Sequence, residues 1–280
     1  MAGKLYLCAT PIGNMEDITF RAVRVLKEAD LIAAEDTRHS IKLLNHFDIH
    51  TPMTSYHEFN KVEKAKRLVQ MMLEGKQVAC ITDAGTPGIS DPGEELVRQC
   101  HEAGIPVTSV PGPAACVAAV TMSGLPTRRF CFEAFLPSDK KEKARILEEL
   151  KRETRTIVIY EAPHRLVRTL GELLEALGDR QISICRELTK KHETVFRSTL
   201  QQAADYYEQN EPKGECVLVL EGRSAAWLEM EKEASWQDIP LDQHMERYLS
   251  QGMDKKEAMR QVARDRGISR RDVYQMLLKS

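Results

Sequence analysis

The densest chemistry in this chain lies in Asp83-Ala-Gly-Thr-Pro-Gly-Ile-Ser-Asp-Pro-Gly93. Three glycines, two prolines and two aspartates in eleven residues exceed what a connection needs. Glycine lets a ligand approach the backbone, and proline fixes the shape of the loop. Two further turns share this character: Ala9-Thr-Pro-Ile-Gly-Asn14, and residues 106–115, where Pro111-Gly112-Pro113 opens a helix with free N–H groups. No G-x-G-x-x-G or G-x-x-x-x-G-K-[ST] occurs, and the loops carry no lysine to neutralise phosphate. They suit a ligand read through backbone amides and carbonyls, such as an adenosine bearing a small charged group. S-adenosylmethionine fits that description, though the residues alone do not single it out.

Charged groups cluster in three other places. Glu35-Asp-Thr-Arg38 offers Glu35 and Arg38 for catalysis or substrate contact, with Asp36 equally suited to cap a helix near His39. Tyr160-Glu-Ala-Pro-His-Arg165 gathers Glu, His and Arg at a turn that needs only Pro163. Arg186-Glu-Leu-Thr-Lys-Lys-His192 could meet phosphates or be a solvated turn. The histidines and acids show no metal-ligand spacing, and there is no G-x-S-x-G elbow.

The elements that must position these groups alternate. Strands are expected at Lys4–Ala9, Leu31–Ala34, Val78–Thr82 and Pro106–Val110. Helices are expected at Asp17–Ala29 (with Ile18, Ala22, Val23, Leu26 and Ala29 on one face), Lys61–Leu73, Glu94–Ala103 and Ala114–Met122. This pattern predicts a mainly parallel sheet covered by helices, with the polar loops at its carboxyl edge, where open α/β sheets bind ligands. A second α/β unit begins near Phe130, with strands at Arg129–Leu136, Thr156–Tyr160, Ile182–Arg186, Thr194–Thr199 and Cys216–Glu221. No obvious crossover helix separates the last of these strands, so part of that sheet should be antiparallel. Residues 223–240 read as an acidic linker. Residues 241–280 read as three helices, Leu241–Gln251, Lys255–Gly267 and Arg270–Leu278, with Ala258, Val262, Ala263, Val273, Met276 and Leu277 inward. The last two, joined by a Gly-containing turn, resemble a helix-turn-helix. The expected organisation is an N-terminal α/β domain at 1–125, a second at 126–222, a linker and a C-terminal helical module.

At 280 residues with 42% hydrophobic content, the chain can build sizeable cores. A net charge of −2 provides no global attraction to nucleic acid, so polyanion contact must be local. Lys140 to Arg155 carries seven basic residues against four acids. Residues 241–280 carry nine against six, with Arg264, Arg266, Arg270 and Arg271 around the predicted turn. Seven scattered cysteines without C-x-x-C fit core packing in a reduced, cytoplasmic protein. No signal-peptide or membrane-spanning run is apparent.

Taken in order, Ala9-Thr-Pro-Ile-Gly-Asn14, Glu35-Asp-Thr-Arg38, the Thr82–Gly93 loop, Val110-Pro-Gly-Pro113 and Tyr160-Glu-Ala-Pro-His-Arg165 resemble the tetrapyrrole methylase superfamily, in its ribosomal RNA branch. The resemblance spans the whole chain. It implies two α/β domains with S-adenosylmethionine folded in the cleft between them, and a homodimer. It further implies 2′-O-methylation of a cytidine ribose in the decoding region of 16S rRNA, within the small ribosomal subunit. The superfamily's Gly-Asp-Pro is here Gly85-Thr86-Pro87, and its Gly-rich first loop is Thr10-Pro11-Ile12-Gly13, which weakens carry-over from the corrin-making members. Placed motif by motif, the cofactor residues are Pro11, Asp83, Gly85, Thr86, Ile89, Gly112, Pro113, Ala114, Tyr160 and Ala162.

Transfer to a ribose hydroxyl calls for alignment of the reactants and benefits from a base. Candidate catalytic groups are Glu35, Asp36, Arg38 and Glu161, with His57 as a further base. His164, Arg165, Arg186, Lys190, Arg264, Arg266, Arg270 and Arg271 are candidates for RNA contact. No metal is expected. Two other readings stay open: a methylase of a tetrapyrrole, and a ligand-sensing DNA-binding regulator.

Overall fold

The computed structural model describes residues 3–224, 226–227, 230 and 239–278. They divide into two compact units. The first comprises Met1–Leu150 and Arg155–Glu221, and the second comprises Lys151–Thr154 and Gly222–Ser280.

The first unit holds two five-stranded sheets. In one, β1 (Lys4–Cys8), β2 (Leu31–Ala34), β3 (Met53–Ser55), β4 (Gln77–Ile81) and β5 (Val107–Val110) run parallel in the order β3-β2-β4-β1-β5. The short apolar runs of the central strands β2 and β4 are buried on both faces, as a helix-covered parallel sheet requires. On β4, Ala79 and Ile81 pack with Ala22, Val25 and Leu26 of α1 (Phe20–Glu28) and Leu44 of α2 (Thr37–His46). Val78 and Cys80 face the other way, against Ala65, Leu68 and Met72 of α3 (Lys61–Leu73) and Leu96 and Cys100 of α4 (Glu94–Glu102).

The second sheet has the order β6-β7-β10-β8-β9, from β6 (Phe130–Phe135), β7 (Thr156–Glu161), β8 (Gln181–Arg186), β9 (Thr194–Thr199) and β10 (Cys216–Leu220). Only β6 and β7 pair in parallel; β10 runs antiparallel to β7 and β8, and β9 antiparallel to β8. Ile157, Ile159, Leu218 and Leu220 face α6 (Lys140–Lys151), α7 (Pro163–Leu177) and α8 (Leu200–Gln209). Val158, Val217 and Val219 face Cys116, Ala119 and Val120 of α5 (Ala115–Ser123). Thus α5, which follows the last strand of the first sheet, packs on the second sheet and ties the two together.

Several expectations are corrected. The first helix begins at Phe20, because the Thr19 hydroxyl accepts the Ala22 N–H at 3.1 Å and caps it there; Asp17 lies in a short 3₁₀ turn. Val25 joins its buried face. The three-residue β3 went unforeseen and is held by its pairing with β2. A helix, α8, does lie between β9 and β10; Leu200, Ala203, Ala204 and Tyr207 form its buried stripe.

The second unit contains α9 (Leu241–Leu249), α10 (Lys255–Asp265) and α11 (Arg270–Leu277). Leu241, Met245, Ala258, Val262, Ala263 and Val273 form its core, whereas Met276, expected inward, is exposed. Gly267 takes φ +63° in the turn, and Ser269 with Asp272 forms a capping box that starts α11. Most of the expected linker, including residues 231–238, falls outside the described residues. No helix among the described residues is long and apolar enough to cross a membrane.

Candidate active-site cleft

Because the first sheet is parallel, the segments after β1, β2, β4 and β5 leave the same edge. Short bonds fasten them into one surface. Thr10 N–H donates to Gly85 O at 2.8 Å, and Gly85 N–H returns the bond to Thr10 O at 3.1 Å. The Thr10 hydroxyl donates to Thr82 O at 3.1 Å. The Thr86 hydroxyl donates to Pro113 O at 2.9 Å, joining the loops after β4 and β5. Gly85 sits at φ +88°, a region costly for other residues. Gly112 lacks a side chain for a different reason from close ligand approach. A Cβ there would fall 2.7 Å from Ala9 Cβ, so packing between two loops excludes it.

The second sheet supplies the facing wall. A Cβ on Gly13 would come within 2.5 Å of Lys190 Cγ, and Asn14 N–H donates to the Thr189 hydroxyl at 3.1 Å. The loops after β1 and β8 are therefore in contact. The Tyr160 hydroxyl accepts Cys116 N–H at 3.0 Å, so one of the free amides expected at the start of α5 is already used by the protein. Phe132 and Phe135 pack edge-on against the Tyr160 ring at 4.9 and 5.6 Å.

Between the walls lies a cleft of about 210 Å³. Its first wall is formed by Ile12, Glu35, residues 83–86, Ile89, Ser90, Asp91, Ala114 and Ala115. Its second is formed by Phe135, Tyr160, Glu161, Glu187, Leu188, Lys190 and residues 215–217. Glu35 accepts the Thr82 hydroxyl at 2.6 Å and Asp83 N–H at 3.2 Å, while Asp83 accepts Asp36 N–H at 3.2 Å. Burial, and then the Glu35 charge, raise the Asp83 carboxyl above its ordinary range. The same two causes, in the same order, push Asp91 up to about 7. Burial also holds the Tyr160 phenol well above its usual range.

Backbone strain concentrates at this cleft. Of the described non-glycine residues with positive φ, Ser90 and Glu187 line it, and Ala134 and Thr189 adjoin lining residues; only Asp48 lies elsewhere. Strain persists where the surroundings over-determine the backbone, as functional sites do.

Of the residues proposed for the cofactor, Asp83, Gly85, Thr86, Ile89, Ala114 and Tyr160 line the cleft; Pro11, Pro113 and Ala162 lie beside lining residues in the chain, and Gly112 lies two residues before Ala114. Glu35 lines it too. Asp36 caps α2, accepting Arg38 N–H at 2.8 Å, and binds the Arg38 guanidinium at 2.7 Å. That contact holds its carboxyl well below the usual carboxylate range. Glu161 lines the cleft, but its carboxylate accepts Ala162 N–H at 2.8 Å and the Thr169 hydroxyl at 2.6 Å and pairs with Arg165 at 3.2 Å. His57, which lies after β3, donates its backbone N–H to Asn60 Oδ1 at 2.9 Å.

Among the RNA candidates, Lys190 lines the cleft and pairs with Glu187 at 3.0 Å. His164 is exposed. Arg165 donates to Leu136 O, and Arg186 to Lys213 O. In the second unit Arg264, Arg270 and Arg271 are exposed. Arg266 instead donates to His244 Nδ1 at 3.1 Å and to Ile239 O. Sequence reasoning missed Phe135, Glu187, Asp91 and Glu215 at the cleft. Asp91 was within reach, since it is the second aspartate of the loop quoted first.

Among the described residues no cluster of His, Cys, Asp or Glu is placed to hold a metal ion. A sequence profile of the tetrapyrrole (corrin/porphyrin) methylases matches residues 4–204. The chain is 51% identical to ribosomal RNA small subunit methyltransferase I of Halalkalibacterium halodurans, over 97% of this chain and 93% of that protein. It is 48% identical to the protein of that name from Thermotoga maritima, over 79% of this chain and 99% of the relative. Two solved structures share the fold. Diphthine synthase has a TM-score of 0.64 at 14% identity, covering 82% of this chain and 94% of its own. Uroporphyrin-III C-methyltransferase from Thermus thermophilus, complexed with S-adenyl homocysteine, has a TM-score of 0.56 at 23% identity, covering 78% and 97%. A profile match across most of the first unit, joined to half-identity along nearly the whole length, means that this chain belongs to the tetrapyrrole methylases, among the relatives called ribosomal RNA small subunit methyltransferase I.

Proposed function

We propose that the protein uses S-adenosylmethionine to methylate the ribose 2′-hydroxyl of a cytidine in the decoding region of 16S rRNA. The observation that carries this reading is the 51% identity, over 97% of the chain, to a ribosomal RNA small subunit methyltransferase I.

The cleft fits the cofactor on physical grounds. Glu35, Asp83, Asp91, Glu187 and Glu215 line it, with Lys190 as the basic lining residue. A phosphate about 4 Å from one such carboxylate is opposed by roughly 4 kcal/mol at an effective dielectric near 20, and a cation is drawn in by as much. Phe135, Tyr160, Leu188 and Val217 provide apolar surface for a nucleoside. When bound, the cofactor supplies an electrophilic methyl group on a sulfonium. The protein's own residues hold the donor between two fastened walls, exclude water, and fix the direction from which the acceptor oxygen approaches.

Catalysis belongs to the first unit. The Thermotoga relative is covered over 99% of its length by 79% of this chain, which leaves roughly a fifth of the chain, the size of the C-terminal unit, without a counterpart. We assign that unit to RNA holding, through Arg264, Arg270 and Arg271. Arg38 and Lys190 are assigned to the acceptor strand. The protein acts in the cytoplasm as a homodimer. Val117 and Met122 lie exposed on α5, a helix apolar on all sides, and a second copy would cover them.

The test is methylation of purified 30S subunits with labelled cofactor, followed by nuclease digestion and chromatography. Label on one cytidine ribose is expected. Label on a base, or efficient labelling of a tetrapyrrole but not of 30S subunits, overturns the reading.

A further inference from the structure

We propose that Phe20 and Phe59 are stacking platforms for unpaired bases of the RNA substrate, holding nucleotides that flank the methylated one at the edge of the cleft. This rests on the reading of the cleft as a ribose methyltransferase site.

The two rings are exposed to a degree that nothing else described in the first unit approaches. Phe20 is 98% and Phe59 97% exposed, and the next large apolar side chain of that unit is Val117 at 51%. A single exposed apolar residue needs no explanation. Two unshielded phenylalanines on the edge that carries the cleft do, and the topology puts them there. After α1, Asp30 N–H donates to Gln77 O at 2.9 Å, at the amino end of β4. The first residue of α1, Phe20, therefore lies toward the carboxyl edge, a nine-residue helix of about 13 Å away. Tyr56 N–H donates to Ala34 O at 2.7 Å, where β2 and β3 end, and Phe59 follows in the turn that leads into α3. Two strands, β2 and β4, separate β3 from β1, so the two turns leave the edge about 14 Å apart at ordinary strand spacing. Glu35, which lines the cleft, and Arg38, whose side chain is 89% exposed, follow β2 between them.

The surroundings of each ring suit a base. A hollow of about 630 Å³ opens against Phe20, its apolar lining completed by Met15, Ile18, Val23 and Phe47. Arg24, Lys27 and His46 line it against Glu16 and Glu28, and Arg24 pairs with Glu28 at 3.2 Å. The Phe59 ring meets the His57 ring edge-on at 6.1 Å and is otherwise open to solvent. Charge along the edge is nearly balanced, since Asp36 pairs with Arg38 at 2.7 Å and Glu58 with Lys61 at 2.5 Å. This surface therefore offers π-faces more than phosphate attraction. Base–aromatic stacking accepts any base and requires it unpaired, which is how single-stranded RNA is held. A protein partner would cover a continuous apolar patch. These rings stand apart, with the Glu35 end of the cleft between them, where the acceptor strand must arrive.

The experiment measures binding and methylation of 30S subunits by the wild type and by variants at each ring. Phe20→Ala and Phe59→Ala should each raise Kd and KM for 30S subunits by about 5- to 150-fold, the worth of one stacked base. Saturating kcat, calorimetric cofactor affinity and the salt-dependence slope should hold, because no phosphate contact is lost. Phe20→Trp and Phe59→Trp should bind at least as well as wild type. Phe20→Leu and Phe59→Leu should fall close to the alanine variants, because leucine keeps apolar area but has no π-face. Unchanged affinity in either alanine variant overturns the proposal. So does wild-type binding by both leucine variants, which would mark an apolar contact with protein. A changed oligomeric state of the alanine variants in sedimentation also overturns it, by marking an interface between copies. Absence of ribose labelling by the wild type would instead sink the underlying reading.

Discussion

Thr10 and Gly85 exchange two backbone hydrogen bonds, at 2.8 and 3.1 Å, across loops that leave different strands of one sheet. This bridge forces Gly85 into positive φ beside Ile12, whose Cγ2 a Gly85 Cβ would approach at 3.4 Å. Ile12, Gly85 and Thr86 all line the cleft, so the bridge sets the shape of its first wall.

Gly85→Ala should therefore cost about 1–2 kcal/mol of stability from the left-handed conformation alone. It should also weaken cofactor binding, because the loop can relieve the strain only by moving the wall. Thermal unfolding and calorimetric titration check the two effects. Wild-type affinity in the folded variant would place the cofactor elsewhere.

Gly112→Ala should act through stability. Its Cβ would meet Ala9 Cβ at 2.7 Å, and overpacking of that kind costs about 1–3 kcal/mol. Ala9→Gly should rescue it, and a double-mutant cycle should give coupling of about 1 kcal/mol or more. Additive behaviour of the pair would return Gly112 to a ligand-facing role.

The sequence exposed those features that are local. The apolar runs of β1, β2 and β4 and the stripe of α3 mark their elements directly, because each is buried on a regular period. The three residues of β3 carry no period, and only the partner strand makes them a strand. The α8 stripe was legible, but its alanines and glutamines masked it. At the site, the loops could be found from breaker content, whereas the reason for Gly112 depended on Ala9, far upstream. Asp36 offered cap and catalysis equally, and its 2.8 Å bond from Arg38 N–H shows the cap in place. The bond from the Thr82 hydroxyl to Glu35 requires β2 and β4 to be neighbours, a fact of topology that no residue pattern displays.

The arginines of the second unit should separate into two classes. Replacing Arg264, Arg270 and Arg271 together with Ala should weaken RNA binding and lower the salt-dependence slope by roughly 2, since each lost phosphate contact removes about 0.7–0.9. Cofactor affinity should hold. Arg266→Ala should instead unfold the module more easily. Its guanidinium holds His244, which is fully buried and donates through Nε2 to Asp265 at 3.3 Å. Losing one partner of such a network costs about 1–3 kcal/mol. Unchanged RNA affinity at low salt in the triple variant would make the module a packing or assembly element.

Asp91 should reveal itself in the pH dependence of stability. Its folded-state pKa of about 7 lies above the ordinary 3.8, so between those values the folded protein binds more protons than the unfolded chain. Stability from this group is complete below about 3.8, declines as pH rises toward about 7, and levels off above it. Asparagine keeps the shape and removes the titration. Asp91→Asn should therefore gain in Tm relative to wild type on going from pH 5 to pH 8, where the wild type carries the ionised carboxyl in a cleft of like charges. Melting curves at the two pH values measure it, and an equal Tm difference at both would show that Asp91 titrates as an ordinary surface carboxyl.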